Sequence, residues 1–519
     1  MAAHRPAAST AFGSILFGGA PPPDPGSRPA PVFFGDLNLD QVTEAATAGR
    51  AEYDLGPFFR APLDDADAIA YRHEVFRDLQ DREVAGQVEA FAAGMRRMRE
   101  HLATARKLHY ALQQQRWFAA AVAVYCDAVT TLGAGLGRAA VRSRGLAAFR
   151  DYLAGYLRSA GFTTLAGQTA RLAADLSAVS YRLHIKGNRV RVSGCAGEDD
   201  YSQEVLATFE RFRQGAVQDY RVRLPAHLDM NHVEARILGL VAKLRPEVFA
   251  AQAEYCERHR GYLDATIARF DREIQFYLAY LGFIAPLQAA GLRFCYPQVS
   301  AQSPEIGARD TFDLALASKL ASQGARPVTN DFFLHGAERV LVVTGPNQGG
   351  KTTLARTVGQ LHHLGRLGCP VPGRDVRIYL CDEVFTHFGR EEDLATLSGQ
   401  LEDDLVRLRD ILARATGRSV IVLNEIFTST TAEDALFLGR RALRAVLDLG
   451  APCVCVTFLD ELASLDPACV SMVAAVAPDN PAVRTYKVAR RPADGLAYAT
   501  ALAAKHGLTY AQLKRRLAP

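Results

Sequence analysis

Long apolar runs are missing from this sequence of 519 residues. No stretch approaches the roughly 20 consecutive apolar residues that a membrane span needs. The first 35 residues are instead rich in Pro, Gly, Ala and Ser, and their short apolar piece, FGSILFGGA, has neither the basic start nor the length of a secretory signal. We therefore predict a cytoplasmic protein with no membrane segment, in which residues 1–35 form a disordered leader.

Strong charge imbalance and metal-type cysteine spacings are also missing. The formal net charge is only +4, which by itself does not indicate a nucleic-acid binder, so any DNA contact must come from a local patch. The nine cysteines include no Cys-x-x-Cys pair and lie in apolar surroundings. This pattern favours reduced cytosolic thiols over zinc ligands or disulfides.

Helical periodicity dominates from residue 36 to about residue 300. The length of the chain exceeds one hydrophobic core, so two or three domains are expected. Apolar residues recur at spacings of three to five between charges, as in Val75, Leu79, Val84, Val88, Phe91 and Met95. A second such stretch covers about residues 233–287. We predict a long α-helical core and lever domain over residues 36–300.

One segment inside this helical region alternates like a β-hairpin, SYRLHIKGNRVRVSG. A turn at Gly187-Asn188 brings basic residues together on one face, pairing Lys186 with Arg189 and His184 with Arg191. Apolar residues meet on the other face, pairing Ile185 with Val190 and Leu183 with Val192. The basic face near residues 181–193 offers DNA phosphates the side chains Arg182, Lys186, Arg189 and Arg191. A solvated face balanced by Glu198, Asp199 and Asp200 is an equal alternative.

The pattern changes at about residue 301 to short apolar runs separated by helical stretches. Four runs, RVLVVTG, VRIYLCD, SVIVLNE and PCVCVTF, are rich in β-branched residues and are bounded by turn residues. Such runs are typical of buried parallel strands, so residues 301–519 are predicted to form a doubly wound α/β domain.

The first of these runs leads into a P-loop. The pattern G-x-x-x-x-G-K-[ST] lies between a predicted strand and a predicted helix, which is the required context. The predicted nucleotide-binding residues are Gly345, Pro346, Asn347, Gln348, Gly349, Gly350, Lys351, Thr352 and Thr353. In this chemistry Lys351 neutralises phosphate charge, and the Thr352 hydroxyl is a Mg²⁺ ligand.

The run SVIVLNE supplies the residues that hydrolysis requires at a neighbouring strand end. Glu425 is the candidate catalytic residue, activating water. Asn424 stands where a metal-binding aspartate is expected, and its neutral amide predicts weaker Mg²⁺ dependence or slow turnover.

Three segments resemble the MutS family of DNA mismatch-repair ATPases: TGPNQGGKTT (344–353), VFTHFGREEDLATLSGQLEDDLVRLRDIL (384–412) and VLNEIFTSTTAEDA (422–435). The resemblance implies an ABC-type P-loop ATPase domain that dimerises, with each nucleotide held between one subunit's P-loop and the other's signature segment. Ser398 and Gly399 of LSGQ fall in that segment and would face the γ-phosphate in trans. A helix-capping serine is the competing interpretation.

The sequence also departs from the family pattern. It resembles a short member lacking the N-terminal mismatch-recognition and connector domains, because no Phe-x-Glu motif lies near its start. Direct mismatch reading by that route is not expected. The DNA-gripping clamp is reduced to the basic hairpin. Phe458 stands where the family has a histidine that senses the γ-phosphate, and a phenylalanine ring donates no hydrogen bond.

Several other residues have ordinary interpretations. Asp382 and Glu383 could touch the metal shell or the attacking water, but such a pair is more often simply a polar strand end. His387 is expected to face solvent, the pair Arg490-Arg491 to be a surface charge pair, and Trp117 to pack in the lever.

The sequence thus favours an ATP-binding, DNA-associated ATPase, with ATP and Mg²⁺ as cofactors, in which closure of a homodimer moves helical levers on DNA. The alternative is a slow or inactive ATPase that serves as a nucleotide-switched scaffold for protein partners, which Asn424 and Phe458 favour. A small-molecule kinase fits less well, because the long helical region accompanies no evident lid.

Overall fold

The computed structural model describes residues 12–18, 30–187, 189–195, 230–389, 399–477 and 480–493, together with residues 508, 510, 513 and 514. The chain forms two compact units. The sheet unit contains residues up to 80, residues 142–147 and residues from 272 onward, whereas the helical unit contains residues 81–141 and 148–271. These units do not follow the boundary predicted at residue 300, because the N-terminal helices group with the C-terminal sheets.

The helical unit is built from long helices and one β-hairpin. Its described elements are α5 (Arg82–Lys107), α6 (Ala111–Arg138), most of α7 (Arg144–Arg158), α8 (Ala160–Ser177), β1 (Tyr181–Lys186), β2 (Arg189–Gly194), α9 (His232–Leu244), α10 (Pro246–Arg258) and the start of α11 (Ala265–Ala289).

Helix α5 illustrates why these segments are helical. The Asp81 carboxylate accepts a hydrogen bond from the Glu83 N–H at 2.8 Å and so caps its first turn. Its predicted apolar stripe is buried, which confirms the periodicity argument, and α6 packs closely against it. At Gly94 a Cβ atom would lie 2.7 Å from the Ala128 Cβ, so a larger residue would force the two helices apart. Trp117 is half-buried with its ring edge-on to His101, in agreement with lever packing.

Helix α6 differs from the expectation that no segment of the sequence is long and apolar enough to span a membrane. Within the described residues, Ala111–Arg138 is long and apolar enough to cross a membrane by length and composition, and 50% of its most apolar window is buried inside the protein. Burial of this extent is typical of a core helix.

The sheet unit combines short N-terminal helices with three described groups of strands. Its helices are α1 (Phe33–Asp36), α2 (Leu39–Thr47), α3 (Gly56–Arg60), α4 (Ala66–Asp78), the end of α11, α12 (Leu314–Ala321), α13 (Lys351–Arg366), α14 (Gln400–Arg414) and α15 (Ala432–Leu449), with 3-10 turns at Ala51–Tyr53 and Asp460–Ser464. Its strands are β3 (Phe294–Cys295), β4 (Gln298–Ser300), β5 (Ile306–Thr311), β6 (Asn330–Leu334), β7 (Val340–Thr344), β8 (Val371–Pro372), β9 (Arg374–Tyr379), β10 (Val384–Phe388), β11 (Val420–Asn424), β12 (Cys453–Val456), β13 (Cys469–Ala477) and β14 (Asn480–Arg490).

The principal sheet has six strands in the order β10-β11-β12-β7-β13-β14. The first five are parallel, and β14 pairs antiparallel to β13. Three of the four predicted runs are in it, as β7, β11 and β12. The fourth run, VRIYLCD, is also a strand, but it forms β9 in a separate four-stranded sheet, and β10 takes its expected place beside β11. Both segments are short, apolar and buried, so local pattern does not distinguish them.

Helix α13, which follows the P-loop, is buried on two sides. It packs on β11 and β12 of the principal sheet. Its other side is held by the N-terminal helical region, since the Gln360 side chain donates to the Leu37 carbonyl and His363 hydrogen-bonds to the Phe59 carbonyl, both at 2.8 Å. This double packing explains why residues 33–63 belong to the same compact unit as the sheet.

Residues 12–18 correct the prediction that the whole stretch 1–35 is disordered. Ile15 and Leu16 are completely buried. The Ser14 hydroxyl donates to the buried Glu273 carboxylate at 2.7 Å, and the Arg72 guanidinium donates to the Leu16 carbonyl at 3.0 Å. The apolar piece FGSILFG was too short to be recognised as structured, but distant buried polar groups bind its backbone.

Candidate nucleotide site

The P-loop lies at the carboxyl end of β7, where ligands collect in parallel sheets. Gly345 has φ +113° and Gly350 has φ +93°, conformations that side-chain-bearing residues rarely adopt. A Cβ atom on Gly345 would also lie 3.0 Å from the Ala474 carbonyl oxygen on β13. The two glycines therefore shape the loop, and helix α13 begins at Lys351 directly behind it.

The Lys351 ammonium is folded back onto its own loop. It donates to the carbonyl oxygens of Gly345 at 2.8 Å and Pro346 at 3.2 Å, and its side chain is only 3% exposed. Burial lowers the pKa of Lys351, Glu425 opposes this shift, and Arg484 reinforces it. The Lys351 ammonium is thus bonded to neutral carbonyl oxygens, which are weaker acceptors than an anion. A phosphate can replace them.

Glu425 faces this ammonium from the end of β11. Its carboxylate oxygen lies 4.0 Å from the Lys351 nitrogen, and its side chain is 33% exposed. Glu425 has φ +53°, a strained conformation for this residue, and its N–H donates to the Val456 carbonyl at 2.9 Å. The parallel register of β11 and β12 fixes that bond and so directs Glu425 to the loop edge.

Asn424 provides a test of whether the site suits Mg²⁺. Its side chain is buried, and its amide oxygen has no hydrogen-bond partner among the described residues. A buried oxygen without a donor costs about 1–3 kcal/mol, and a cation would satisfy it. Thr352 is half-buried in the first turn of α13. The Asn424 amide oxygen and the Thr352 hydroxyl are oxygen ligands, which is the type that Mg²⁺ prefers.

Phe458 also joins the cluster. The strand β12 ends at Val456, and the Phe458 ring, 46% exposed, covers the Lys351 ammonium with 4.2 Å between nitrogen and ring centroid. The structure therefore brings together three residues that the sequence singled out separately: Lys351, Glu425 and Phe458.

Two neighbours of the loop were missed by sequence reasoning. Arg484 on β14 donates from Nε to the Asn347 carbonyl at 3.1 Å. The Thr344 hydroxyl, at the end of β7, is buried without a hydrogen-bond partner in the part of the chain that the structure describes. No local pattern marks Arg484, because its role depends on the bulged pairing of β14 with β13.

The signature segment is described only in part. Gly399 precedes α14, and its carbonyl accepts hydrogen bonds from the N–H groups of Glu402 and Asp403. Ser398 lies outside the described residues, as does Asn188 of the hairpin turn. Gly399 is thus placed at a helix start, as the sequence predicts for this segment.

Asp382 and Glu383 lie far from the sheet edge that carries the P-loop. Asp382 precedes β10, and the register aligns Phe388, at the other end of that strand, with Asn424. The five residues of β10 put Asp382 roughly 15 Å from the nucleotide edge, where Thr416 and Ser419 hydroxyls bind its carboxylate. Asp382 and Glu383 therefore form the polar strand end that the sequence favours, and a metal role does not fit their position.

His387 was expected to face solvent but is fully buried in β10. It hydrogen-bonds to the Asp404 carbonyl at 3.1 Å, and burial lowers its pKa. Helix α14 covers it. The sequence of a strand that is buried on both faces does not reveal this cover. Arg490, by contrast, pairs with Glu338 and lies over the Phe333 ring, as a surface residue of β14.

The hairpin has the register that the sequence predicts. Lys186 pairs with Arg189 and His184 with Arg191, while Ile185 pairs with Val190 and Leu183 with Val192. The basic side chains therefore share one face.

A family model described as MutS domain V matches residues 341–508. The chain is 32% identical over 184 residues to the DNA mismatch repair protein MutS of Zymomonas mobilis, covering 34% of this chain and 21% of that protein. It is 33% identical over 138 residues to the DNA mismatch repair protein MSH4 of Arabidopsis thaliana, covering 27% and 17%.

A longer match, 27% identical over 266 residues, is to the DNA mismatch repair protein MutS of Chloroflexus aurantiacus, covering 49% of this chain and 24% of that protein. The chain thus spans no more than about a quarter of the length of these relatives. Every residue of the cluster around Lys351 lies inside the domain V match. Residues 341–508 of this chain are therefore similar to domain V of the MutS family.

Proposed function

We propose that this protein is an ATP-binding, DNA-associated ATPase that works as a homodimer. The observation that carries the proposal is the position of Glu425, 4.0 Å from the P-loop ammonium at the carboxyl edge of a parallel sheet. A carboxylate there is placed to accept a proton from the water that attacks a bound γ-phosphate. Likeness to domain V of mismatch-repair proteins supports the same chemistry.

Phosphate binding follows from the loop geometry. The N–H groups of residues 350–353, at the N-terminus of α13, favour an anion. Lys351 exchanges its bonds to Gly345 and Pro346 for charge-assisted bonds to the β- and γ-phosphates. Thr352 and Asn424 would hold Mg²⁺, which neutralises phosphate charge when bound.

The dimer is proposed from the signature segment. Ser398 and Gly399 at the start of α14 would meet the γ-phosphate of the partner subunit, with the helix N-terminus adding positive potential. ATP binding then closes the dimer and changes the arrangement of the helical levers. Sedimentation with and without a non-hydrolysable ATP analogue tests this step, and a protein that stays monomeric at saturation would contradict it.

DNA is proposed as the partner of the helical unit. The paired cations of the hairpin, with Arg182, provide the local basic patch that the small net charge does not. Direct mismatch reading is not part of the proposal.

A second candidate is a nucleotide-switched scaffold for protein partners with slow or no hydrolysis. The Phe458 ring over Lys351 favours it, because the ring stabilises the lysine in the absence of nucleotide and donates no bond to a phosphate. The neutral side chain of Asn424 also favours the scaffold with slow or no hydrolysis.

The deciding experiment compares the ATPase rates of the natural protein, Glu425→Gln and Asn424→Asp, with nucleotide affinity measured in parallel. Loss of the general base is expected to lower the rate about 100-fold or more while affinity is kept. A natural rate no faster than that of Glu425→Gln would favour the scaffold. A clearly measurable natural rate that Glu425→Gln leaves unchanged would remove Glu425 from the mechanism.

A further inference from the structure

The hairpin β1–β2 presents two chemically different faces. On one face two pairs of basic residues stand directly opposite each other, Lys186 with Arg189 and His184 with Arg191. Like charges in such positions are destabilising unless an anion lies between them. In the part of the chain that the structure describes, no carboxylate lies within ion-pair distance of Lys186, Arg189 or Arg191.

The other face is apolar and, on β1, exposed. Ile185 is 67% exposed, Tyr181 45% and Leu183 41%. On β2 the facing residues Val190 and Val192 are half-buried, and α9 packs beside that strand. Three large apolar side chains alternating along one exposed strand, beside a row of cations, are characteristic of an interaction surface rather than of scattered exposure.

We propose that this hairpin binds DNA at places where bases are unstacked, such as the junction of a duplex with a single strand. The basic face contacts phosphates, and Tyr181, Leu183 and Ile185 contact the faces of exposed bases. An intact duplex offers phosphates and groove edges, but its base faces are covered by stacking. Unstacked bases offer apolar surfaces to side chains, so they match both faces of the hairpin at once.

The inference rests on the proposed association with DNA and adds the class of DNA structure. A protein partner is the competing occupant of the apolar face. The cation pairs favour DNA, because they give the hairpin an anion-binding face directly behind its apolar face, and a polynucleotide offers both phosphates and base faces.

The test uses the full chain and three labelled DNAs: a blunt duplex, a duplex with a single-stranded tail, and a single strand. Affinities are measured by fluorescence anisotropy over a range of salt concentrations. The apolar variant carries Leu183→Ser and Ile185→Ser, and the basic variant carries Lys186→Gln and Arg189→Gln. Val32→Ser is the matched control, since Val32 is 73% exposed elsewhere in the chain. Thermal unfolding of each variant confirms that it is folded.

The apolar variant is expected to lose about tenfold in affinity for the tailed duplex and the single strand, with blunt-duplex affinity and salt dependence unchanged. The basic variant is expected to lose affinity for all three DNAs, with a log–log salt slope smaller by about 2. Val32→Ser should match the natural protein.

Two outcomes would overturn the inference and leave DNA association standing: an apolar variant that binds all three DNAs like the natural protein, or one that loses self-association or protein binding while its DNA selectivity is unchanged. If the natural protein binds none of the DNAs, both the inference and the proposed DNA association are wrong.

Discussion

The Phe458 ring lies over the Lys351 ammonium, with 4.2 Å between the nitrogen and the ring centroid. An aromatic face stabilises a cation by about 0.5–2 kcal/mol, depending on its exposure. The ring and the loop carbonyls share the lysine, so a phosphate that binds there, as we propose, must compete with both.

Replacing Phe458 by leucine should therefore tighten nucleotide binding. Leucine keeps an apolar side chain at this position but removes the aromatic face, so the free lysine loses stabilisation that the phosphate-bound lysine does not need. We expect a Kd for ATP about 2- to 5-fold lower, measured by calorimetry in the Glu425→Gln background to prevent turnover. Phe437→Leu is the control, because Phe437 is 58% exposed and lies over Arg441 instead. Unchanged binding would show that the ring does not compete with the phosphate, and weaker binding would show that Phe458 helps to hold nucleotide.

Replacing Asn424 by aspartate should create Mg²⁺ dependence. The buried amide oxygen has no donor in the described structure, and a carboxylate at the same place would be more costly without a cation. We expect unfolding free energy in chelator to fall by about 1–3 kcal/mol, and added Mg²⁺ to restore it more than in the natural protein. Denaturant titrations with Mg²⁺ alone provide the measurement. An equal response of both proteins to Mg²⁺ would remove Asn424 from the metal site.

His362 should contribute to acid sensitivity. Burial lowers its pKa to about 4 from an ordinary 6.5. A lowered folded pKa means that stability is fully present above pH 6.5 and is lost as the pH falls towards 4. A shift of this size corresponds to roughly 3 kcal/mol.

The variant His362→Leu should accordingly flatten the decline of unfolding free energy between pH 6.5 and 4. It should cost little at neutral pH, because the ring Nε2 is buried without a partner in the described structure and Nδ1 bonds to the Val358 carbonyl of its own helix. Urea titrations at several pH values measure this, with the exposed His335→Leu as control. A variant that keeps the natural slope would mean that other groups govern acid unfolding.

Residues 12–18 should contribute strongly to the stability of the sheet unit. Removing the Ser14 hydroxyl takes one donor from the buried Glu273 carboxylate, so Ser14→Ala is expected to cost about 1–3 kcal/mol. Truncating the fully buried Ile15 to alanine is expected to cost about 2–5 kcal/mol.

Equilibrium denaturation measures both changes. Ser322→Ala is the control, because the exposed Ser322 hydroxyl bonds only to the local Lys319 carbonyl. If Ser14→Ala and Ile15→Ala behave like that control, the N-terminal segment does not stay bound in solution.

Local features of the fold were predictable from the sequence. The hairpin register follows from alternation around a two-residue turn, and the P-loop follows from a pattern between a strand and a helix. Glu425 was predictable as well, because a residue that ends a strand of a parallel sheet lies at the ligand-binding edge.

Features that depend on distant parts of the chain were not predictable. His387 is buried because α14 covers β10, and Ile15 is buried because Glu273 and Arg72 bind the segment around it. The exchange of β9 for β10 has a similar cause, since sheet membership depends on pairing partners and not on composition. The contact of Phe458 with Lys351 required the β12–β7 pairing to be known.

The bond between Ser14 and Glu273 joins residues that are 259 positions apart. During translation, all residues of the helical unit have been synthesised once Asp271 is added to the chain. Glu273, the partner of Ser14, and strand β7 are synthesised after it. Synthesis therefore imposes an order of assembly, since distant contacts form only when both ends exist. Within this sequence, the sheet unit therefore begins before the helical unit and is completed after it.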